Sequence, residues 1–469
     1  MSLPPKAFSP AEVQHYISTF PKRKAPGSDL ITFKIAKNLP KKTIILLTYI
    51  FNATLRLTYF PLQWKSSIII LIPKPGKPPE SPSSYRPISL LPFFSKVLEK
   101  LILKRINPII NNSETIPNTQ FGFRSQHSTI HQINRITDSI ASALEKKQYC
   151  TAAFLDVAQA FDRVWHDGLL YKLKKILPPT FYLFFKSYLH ERQFAVRYRS
   201  SLSDQSEIQA GVPQGAIAAP LLFNIFIADQ PTSTNTLVAE YADDKAIIST
   251  HENPLIASNM LQNHLTQIES WCKIWKVKIN ESKSCHIIFT LKQGLCPQIT
   301  FNNIQIPTSL TTKYLGINFD KKLTWNHHIH TSKIKLNSRL RSLNYFLNSK
   351  SKLSISTKLT LYKSLIKPIW TYGVQIWGSA KKFNIKKIQV VQNKTLRLIT
   401  NAPFYVSNHT LHTDLKLLTV QETASKFYKR YHKSLHVHPN TLAKNLSNPM
   451  PGNPPKRLKR KWCRDLLLD

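Results

Sequence analysis

The chain has 469 residues, 42% of them hydrophobic, and carries 65 Lys and Arg against 25 Asp and Glu, a net charge of +40. Length and apolar content specify packed cores and exclude a disordered chain, and a basic excess spread along the whole sequence points to a polyanionic partner. Nucleic acid ranks ahead of an acidic membrane, because no strongly amphipathic basic helix is visible.

Cys150, Cys272, Cys285, Cys296 and Cys463 are odd in number and lack C-x₂-C spacing. They indicate neither a disulfide framework nor a zinc site and fit a reducing compartment. The N-terminus has no signal-peptide core, and the longest aliphatic run, Ile68 to Ile72, is too short to span a bilayer. A soluble intracellular protein of the nucleus or cytoplasm, with no membrane partner, is expected.

Along the chain, turn chemistry at Lys24-Ala25-Pro26-Gly27-Ser28-Asp29 sits between short helical patterns, and Ile44 to Leu57 reads as a buried helix. Ser66 to Ile72 predicts a strand. It closes in a loop whose prolines and lysines, among them Lys74 and Lys77, are placed to arch over phosphates. Tyr85-Arg86-Pro87-Ile88 follows, then a helix from Phe94 to Ile106, Gln120-Phe121-Gly122-Phe123-Arg124, and a helix from Thr129 to Lys147.

The run Ala153-Phe154-Leu155 ends at Asp156. Helices are predicted over Gly168–Ile176 and, opened by Pro213-Gln214-Gly215, over Ile217–Ile227. Tyr241-Ala242-Asp243-Asp244 lies between Leu237-Val238 and Ala246-Ile247-Ile248 and predicts a hairpin. A helix from Pro254 to Trp275 and short strands at Val277–Ile279, Cys285–Phe289 and Tyr314–Ile317 complete a split β-sheet with helices on one face. Beyond Trp325 the pattern is helical, with stripes at Leu336, Leu340, Leu343, Leu347 and at Ile385, Ile388, Gln392, Leu396. The segment from Pro439 is proline-rich, ends in the basic run Lys456–Lys461, and reads as a loosely ordered tail whose basic run is a nuclear signal, an RNA contact or solvated surface. His409, His412, His432, His436 and His438 lack cysteine partners and read as surface residues.

Three acids at strand ends suit a pair of Mg²⁺ ions roughly 3.5–4 Å apart, which activate a 3′-hydroxyl and stabilise leaving pyrophosphate. Tyr-Ala-Asp-Asp by itself is also what an exposed hairpin turn looks like. Order decides the reading. Asp156, in Leu155-Asp156-Val157-Ala158-Gln159-Ala160-Phe161-Asp162, is followed by Gly211-Val212-Pro213-Gln214-Gly215, then by the paired aspartates, and later by Tyr314-Leu315-Gly316. On these motifs, with Tyr85-Arg86-Pro87-Ile88-Ser89-Leu90-Leu91, the sequence resembles the reverse transcriptases of non-LTR retrotransposons, and within them the jockey-like clade, from about Lys24 to about Pro403.

The resemblance implies an α+β right-hand polymerase, with fingers and a split-sheet palm followed by an all-α thumb and a helical C-terminal region. Residues 1–60 would be a lead-in, 61–150 fingers, 151–325 palm, 326–400 thumb and 401–469 a C-terminal extension. It implies an RNA-directed DNA polymerase working with two Mg²⁺ ions, or Mn²⁺ in their place, on template RNA, a DNA primer and deoxynucleoside triphosphates. Asp156 and Asp243 would be the principal metal ligands, Asp244 a third acid, and the Val157 carbonyl part of a metal shell. Backbone amides of Gln159 and Ala160 would cradle the triphosphate, Phe161 would be the steric gate against a 2′-hydroxyl or else a core ring, and Gln214 would line the nucleotide. Arg86 is the candidate for a bidentate phosphate grip, since a guanidinium matches phosphate oxygens in a fork; Lys77, with Lys74, is a looser one, and Lys283 resembles a lysine beside the pyrophosphate. Arg124, Pro213, Gly215, Tyr241, Tyr314, Leu315 and Gly316 would attend template and primer, Arg124 equally reading as a structural arginine. Asp162 and His166 read as structural, the first capping the following helix.

The run Ala216-Ile217-Ala218-Ala219-Pro220 departs from the family pattern by removing a hydroxyl expected near the template and a glycine-permissive position. Full-length elements carry an endonuclease ahead of the polymerase. None is legible here, so a truncated frame whose endonuclease is supplied elsewhere is expected. A relic retaining only nucleic-acid affinity, and a DNA-templated or primer-independent RNA polymerase, are the competing readings.

Overall fold

A computed structural model describes residues 5–448 and 462–467. The strands run in the order β1 (Ser66–Pro73), β2 (Tyr85–Leu90), β3 (Tyr149–Leu155), β4 (Gln193–Tyr198), β5 (Ser201–Leu202), β6 (Ser206–Glu207), β7 (Leu237–Tyr241), β8 (Asp244–His251), β9 (Cys285–Phe289), β10 (Thr300–Phe301), β11 (Ile304–Gln305), β12 (Thr311–Tyr314) and β13 (Ile317–Asp320). Helices fill most of the remainder, which makes the architecture α+β. The chain divides into two compact units that interleave in sequence: one comprises Met1–Phe123, Val157–Pro231 and Ile268–Ile279, the other Arg124–Asp156, Thr232–Gln267 and Asn280–Asp469.

In the first unit β1 is the centre of a sheet ordered β2-β1-β4-β5, antiparallel to β2 and parallel to β4, with β6 also on β4. The helix predicted from Ile44 begins at Lys41 and is amphipathic rather than buried. Ile44, Leu47, Phe51 and Leu55 pack inward, while Leu46, Tyr49 and Leu57 face solvent. The helix predicted to end at Ile106 continues to Asn112 through Pro108. Its apolar stripe, Leu98, Ile102, Ile106 and Ile110, does not stop at the expected place, and that burial outweighs one missing N–H.

The second unit is built on an antiparallel sheet ordered β7-β8-β3-β9. All seven residues of β3 are buried, as a central strand covered on both faces requires. On the Tyr149 face, Tyr149 packs with Ala257 of the helix Pro254–Trp275. On the opposite face Phe154 meets Tyr314 and Phe319 at ring-centroid distances of 5.4 and 6.4 Å. The strand predicted at Tyr314–Ile317 is instead the turn joining β12 to β13, with Leu315 and Gly316 at positive φ (46° and 84°). Val277–Ile279 forms only a single bridge, Ile279 to Val157, within the first unit.

Both helical stripes beyond residue 325 pack inward, although Leu340 is only half-buried. His412 and His438, expected on the surface, are buried and bonded to the Leu417 and Gln126 carbonyls. The segment after Pro439, expected loose, carries a helix Thr441–Lys444, and Cys463–Leu467 is seated through Ser425 Oγ to the Leu466 carbonyl (2.8 Å). The basic run Lys456–Lys461 lies outside the described residues. Among the described residues, no helix is long and apolar enough to cross a membrane.

Candidate active site

The sheet of the second unit places its acids by register. Tyr241 pairs with Asp244, so Ala242 and Asp243 form a two-residue hairpin tip. Leu155 pairs with Lys245, so Asp156, the next residue of its strand, comes level with Asp244. Asp156, Asp243 and Asp244 are exposed at this one end of the sheet. The tight hairpin needs a positive φ at its first central position, and Ala242 supplies it at 58°, which costs a residue with a Cβ roughly 1 kcal/mol.

Two sets of contacts fix the strand ends that carry these carboxylates. Behind the hairpin, Lys245 Nζ pairs with Glu240 at 3.0 Å, both side chains about 6% exposed. Gln132 donates to the Glu240 carbonyl (2.7 Å) and accepts from Arg135 (2.6 Å), and Tyr314 OH donates to the Ala239 carbonyl (3.1 Å). At Asp156, the Asn280 N–H donates to its carbonyl (2.8 Å) and its own N–H donates to Ser284 Oγ (3.1 Å). Lys283 stands exposed in this same loop.

Partial desolvation of the carboxyl, although the residue as a whole is exposed, and then the negative charges of Asp243 and Asp156 push Asp244 up to about 6, against a smaller opposing pull from Lys313. The three acids are therefore close enough to repel one another, a situation that a bound divalent cation relieves. All-oxygen donors suit Mg²⁺ or Mn²⁺. The fit is partial, since among the described residues no three His, Cys, Asp or Glu side chains converge into a ready-made cage.

In the first unit, Phe161 is half-exposed, stacked on Phe223 (4.7 Å, 19°) and edge-on to Phe123 (5.8 Å). Gln159 has φ 51°, and neither its amide nor that of Ala160 finds an acceptor among the described residues. Two successive open amides in a left-handed turn form an anion-binding concavity. Asp162 does not cap the next helix, whose N-cap is Trp165; it accepts from Gln214 Nε2 at 3.0 Å. Burial raises its pKa, while the Gln214 bond and the Lys74 charge hold it down. His166 bonds the Gly211 carbonyl at 2.8 Å.

The Gly211–Gly215 loop is in turn fastened to β2, where the Ser89 N–H donates to the Gln214 carbonyl (2.8 Å). Gly215, at φ 139°, is obligatory, because a Cβ there would meet the Ser89 oxygen at 2.4 Å. Arg86 on β2 and Lys77 in the preceding loop are exposed, whereas Lys74 donates to the Ser83 carbonyl (2.8 Å). Pro213 is buried.

The remaining candidates lie in the second unit. Tyr314 is buried, and the Leu315 carbonyl accepts from Tyr372 OH at 2.6 Å, which leaves Gly316 as the exposed residue of that turn. Arg124 and Tyr241 are half-buried. Burial lowers the Arg124 pKa and raises that of Tyr241, the latter also through Tyr372.

Glu99 escaped sequence reading. It is buried and accepts from the N–H groups of Ile217 (2.6 Å) and Ala218 (3.0 Å), so it, rather than the Pro213-Gln214-Gly215 turn, anchors the start of the helix Ala219–Phe226. A signal existed, because Glu99 falls on the apolar stripe of its helix with Ser95, Leu98 and Ile102. Ala216, Ala218 and Ala219, the positions of the departure noted above, are all buried in this packing. Ser284, Asn280, Gln132 and Arg135 had no such signal.

An antiparallel sheet bearing three carboxylates at one end, in an α+β chain, defines the class of polymerase palms. The family model described as reverse transcriptase (RNA-dependent DNA polymerase) matches residues 72–319, more than half of the sequence, and the chain belongs to that family. It is 42% identical over 472 residues to a probable RNA-directed DNA polymerase from transposon X-element of Drosophila melanogaster, which covers 100% of this chain and 52% of that protein. It is 43% identical to the probable enzyme from transposon BS of that species (98% and 52% covered) and 40% identical to the RNA-directed DNA polymerase from its mobile element jockey (99% and 52%). The expected likeness to the jockey-like clade of non-LTR elements holds. The chain spans about half the length of these curated relatives.

Proposed function

We propose that this chain is an RNA-directed DNA polymerase that extends a DNA 3′ end on an RNA template. The observation that carries the reading is the strand register that sets Asp156 level with Asp244 and puts Asp243 at the adjoining hairpin tip. Asp156, Asp243, Asp244 and the Val157 carbonyl would hold divalent cations, which when bound activate the 3′-hydroxyl and offset charge on pyrophosphate. Lys283 holds positive charge for the departing pyrophosphate. In the first unit the amides of Gln159 and Ala160, with Arg86 and Lys77, bind triphosphate oxygens. Phe161 excludes a 2′-hydroxyl, and Gln214, its amide fixed by Asp162, lines the nucleotide. Pro213, Gly215, Arg124, Tyr241 and the Tyr314–Gly316 turn attend template and primer. Assignment of 61–150 to fingers, 151–325 to palm and 326–400 to thumb belongs to the same proposal, after a lead-in of 1–60 and before an extension of 401–469.

Primer extension on an RNA template, with Mg²⁺ and four deoxynucleotides, tests it beside an Asp243→Asn Asp244→Asn variant. Extension by the parent alone supports the reading. A parent that binds template and never extends it leaves only nucleic-acid affinity.

A further inference from the structure

The helical region holds a feature that the catalytic reading does not use. The Val406 N–H donates to the Pro403 carbonyl at 3.2 Å, closing a β-turn with Phe404 and Tyr405 at its two corners. The two residues are 94% and 75% exposed, a poor arrangement for two large aromatic side chains unless something covers them. The turn is rigid. Arg397, from the helix Lys382–Thr400, donates to the Pro403 carbonyl (3.0 Å), the Val406 carbonyl and Asn408 Oδ1 (3.2 Å).

Asn408 also lines a cleft of about 610 Å³ with Gln389, Asn393, His409, His412 and Lys416. Gln389 is spent internally, accepting from Val420 N–H and donating to Asn393 Oδ1, both at 2.8 Å. That leaves the Asn393 NH₂ without an acceptor among the described residues. The one acid of the lining, Glu422, is engaged by the Thr419 N–H at 2.8 Å. Between Lys381 and Asn440 the only acids are Asp414 and Glu422, against eleven Lys and Arg.

We propose that the Phe404–Tyr405 turn and its adjoining cleft form a second nucleic-acid site, which grips single-stranded nucleic acid by stacking bases on the two rings and tracking phosphates with the basic surround. Exposed rings on a preorganised turn suit base faces of any sequence, amides beside them suit base edges, and the local charge selects a polyanion over an acid-poor protein partner. A duplex hides its base faces and gains nothing from the rings.

The test is fluorescence anisotropy of the full chain with labelled oligouridylate and oligodeoxythymidylate of about twelve nucleotides, and with a duplex of matched length. Phe404→Ala Tyr405→Ala is expected to weaken single-strand binding about tenfold or more and duplex binding by less than about twofold. Phe404→Trp is expected to retain affinity, and Lys416→Gln to lower the salt slope by about one. Because both rings are exposed, an unchanged thermal transition verifies the fold. A larger loss for one strand chemistry identifies RNA or DNA as the ligand, and equal losses identify a grip indifferent to the sugar. Unchanged single-strand affinity, or an equal loss for the duplex, overturns the site. The assay contains neither metal nor nucleotide, so it reads out whether or not the chain extends primers.

Discussion

The backbone N–H of Asp156 donates to Ser284 Oγ at 3.1 Å, and the same hydroxyl donates onward to the Asn280 carbonyl at 2.8 Å. Ser284 is buried, so the bond is shielded from water. One short loop thereby sets where the first acid stands.

Ser284→Ala is expected to lower the extension rate about tenfold with little change in KM for deoxynucleotides, because displacement of a positioned group costs rate rather than binding. The lost bond should also cost about 1 kcal/mol of stability in urea unfolding. Ser284→Thr should restore much of both. An unaltered rate in Ser284→Ala would remove this residue from the machinery.

Asp244 gives the apo protein a pH dependence of defined sign. Its carboxyl sits at about 6 when folded and at the ordinary 3.8 when unfolded, so between these values the folded state holds the extra proton. Stability contributed by that proton is present at low pH and is lost as pH rises from about 4 to about 6. Solvent screening of an exposed group keeps the effect to roughly 1 kcal/mol. Asp244→Asn should flatten the melting temperature across this window, and added Mg²⁺ should raise stability of the parent above pH 6 but not that of the variant. A parent and variant with parallel pH profiles would refute the coupling.

Phe161 stacks on Phe223 and meets Phe123 edge-on, two contacts that hold its half-exposed ring in place. Phe161→Val should therefore admit ribonucleotides, reducing discrimination against the 2′-hydroxyl by about 10²-fold in single-nucleotide incorporation. Unchanged selectivity would make Phe161 a packing residue.

Glu99 satisfies the Ile217 and Ala218 amides, and the charge of the fully buried Arg192 holds its pKa down against burial, which still raises it overall. Glu99→Ala orphans both amides in a buried setting and is expected to cost about 3 kcal/mol. Glu99→Gln keeps an acceptor and should cost less. Chemical denaturation reads both, and equal stability of the three proteins would contradict the anchoring role.

How much of this was legible in the sequence depended on whether a residue's task is local. That Asp156, Asp243 and Asp244 stand at strand ends was legible because a strand-end acid is recognisable from its flanking apolar run, whereas the proposed roles of Phe161 and Gln214 rest on the short ordered motifs that hold them. The buried stripe of Ile385, Ile388, Gln392 and Leu396 was likewise written in helical spacing. Its counterpart at Ile44–Leu57 misled, since a run with apolar residues on every side, broken only by Thr48, Asn52, Thr54 and Arg56, does not reveal which face meets a neighbour.

Chain order and residue chemistry pointed to the α+β class and to acids at strand ends, and the resemblance of the ordered motifs identified the family, because all of these follow from short-range pattern. Only the tertiary structure decided that Gln214 is held by Asp162, that Glu99 anchors a helix some 120 residues away, that Tyr314 is buried against the Ala239 carbonyl, and that Asp156 hangs from Ser284. Each is a hydrogen bond between segments distant in sequence. Its partner is chosen by how strands pair and helices pack, and a polar side chain read along one dimension carries no record of what folding will bring beside it.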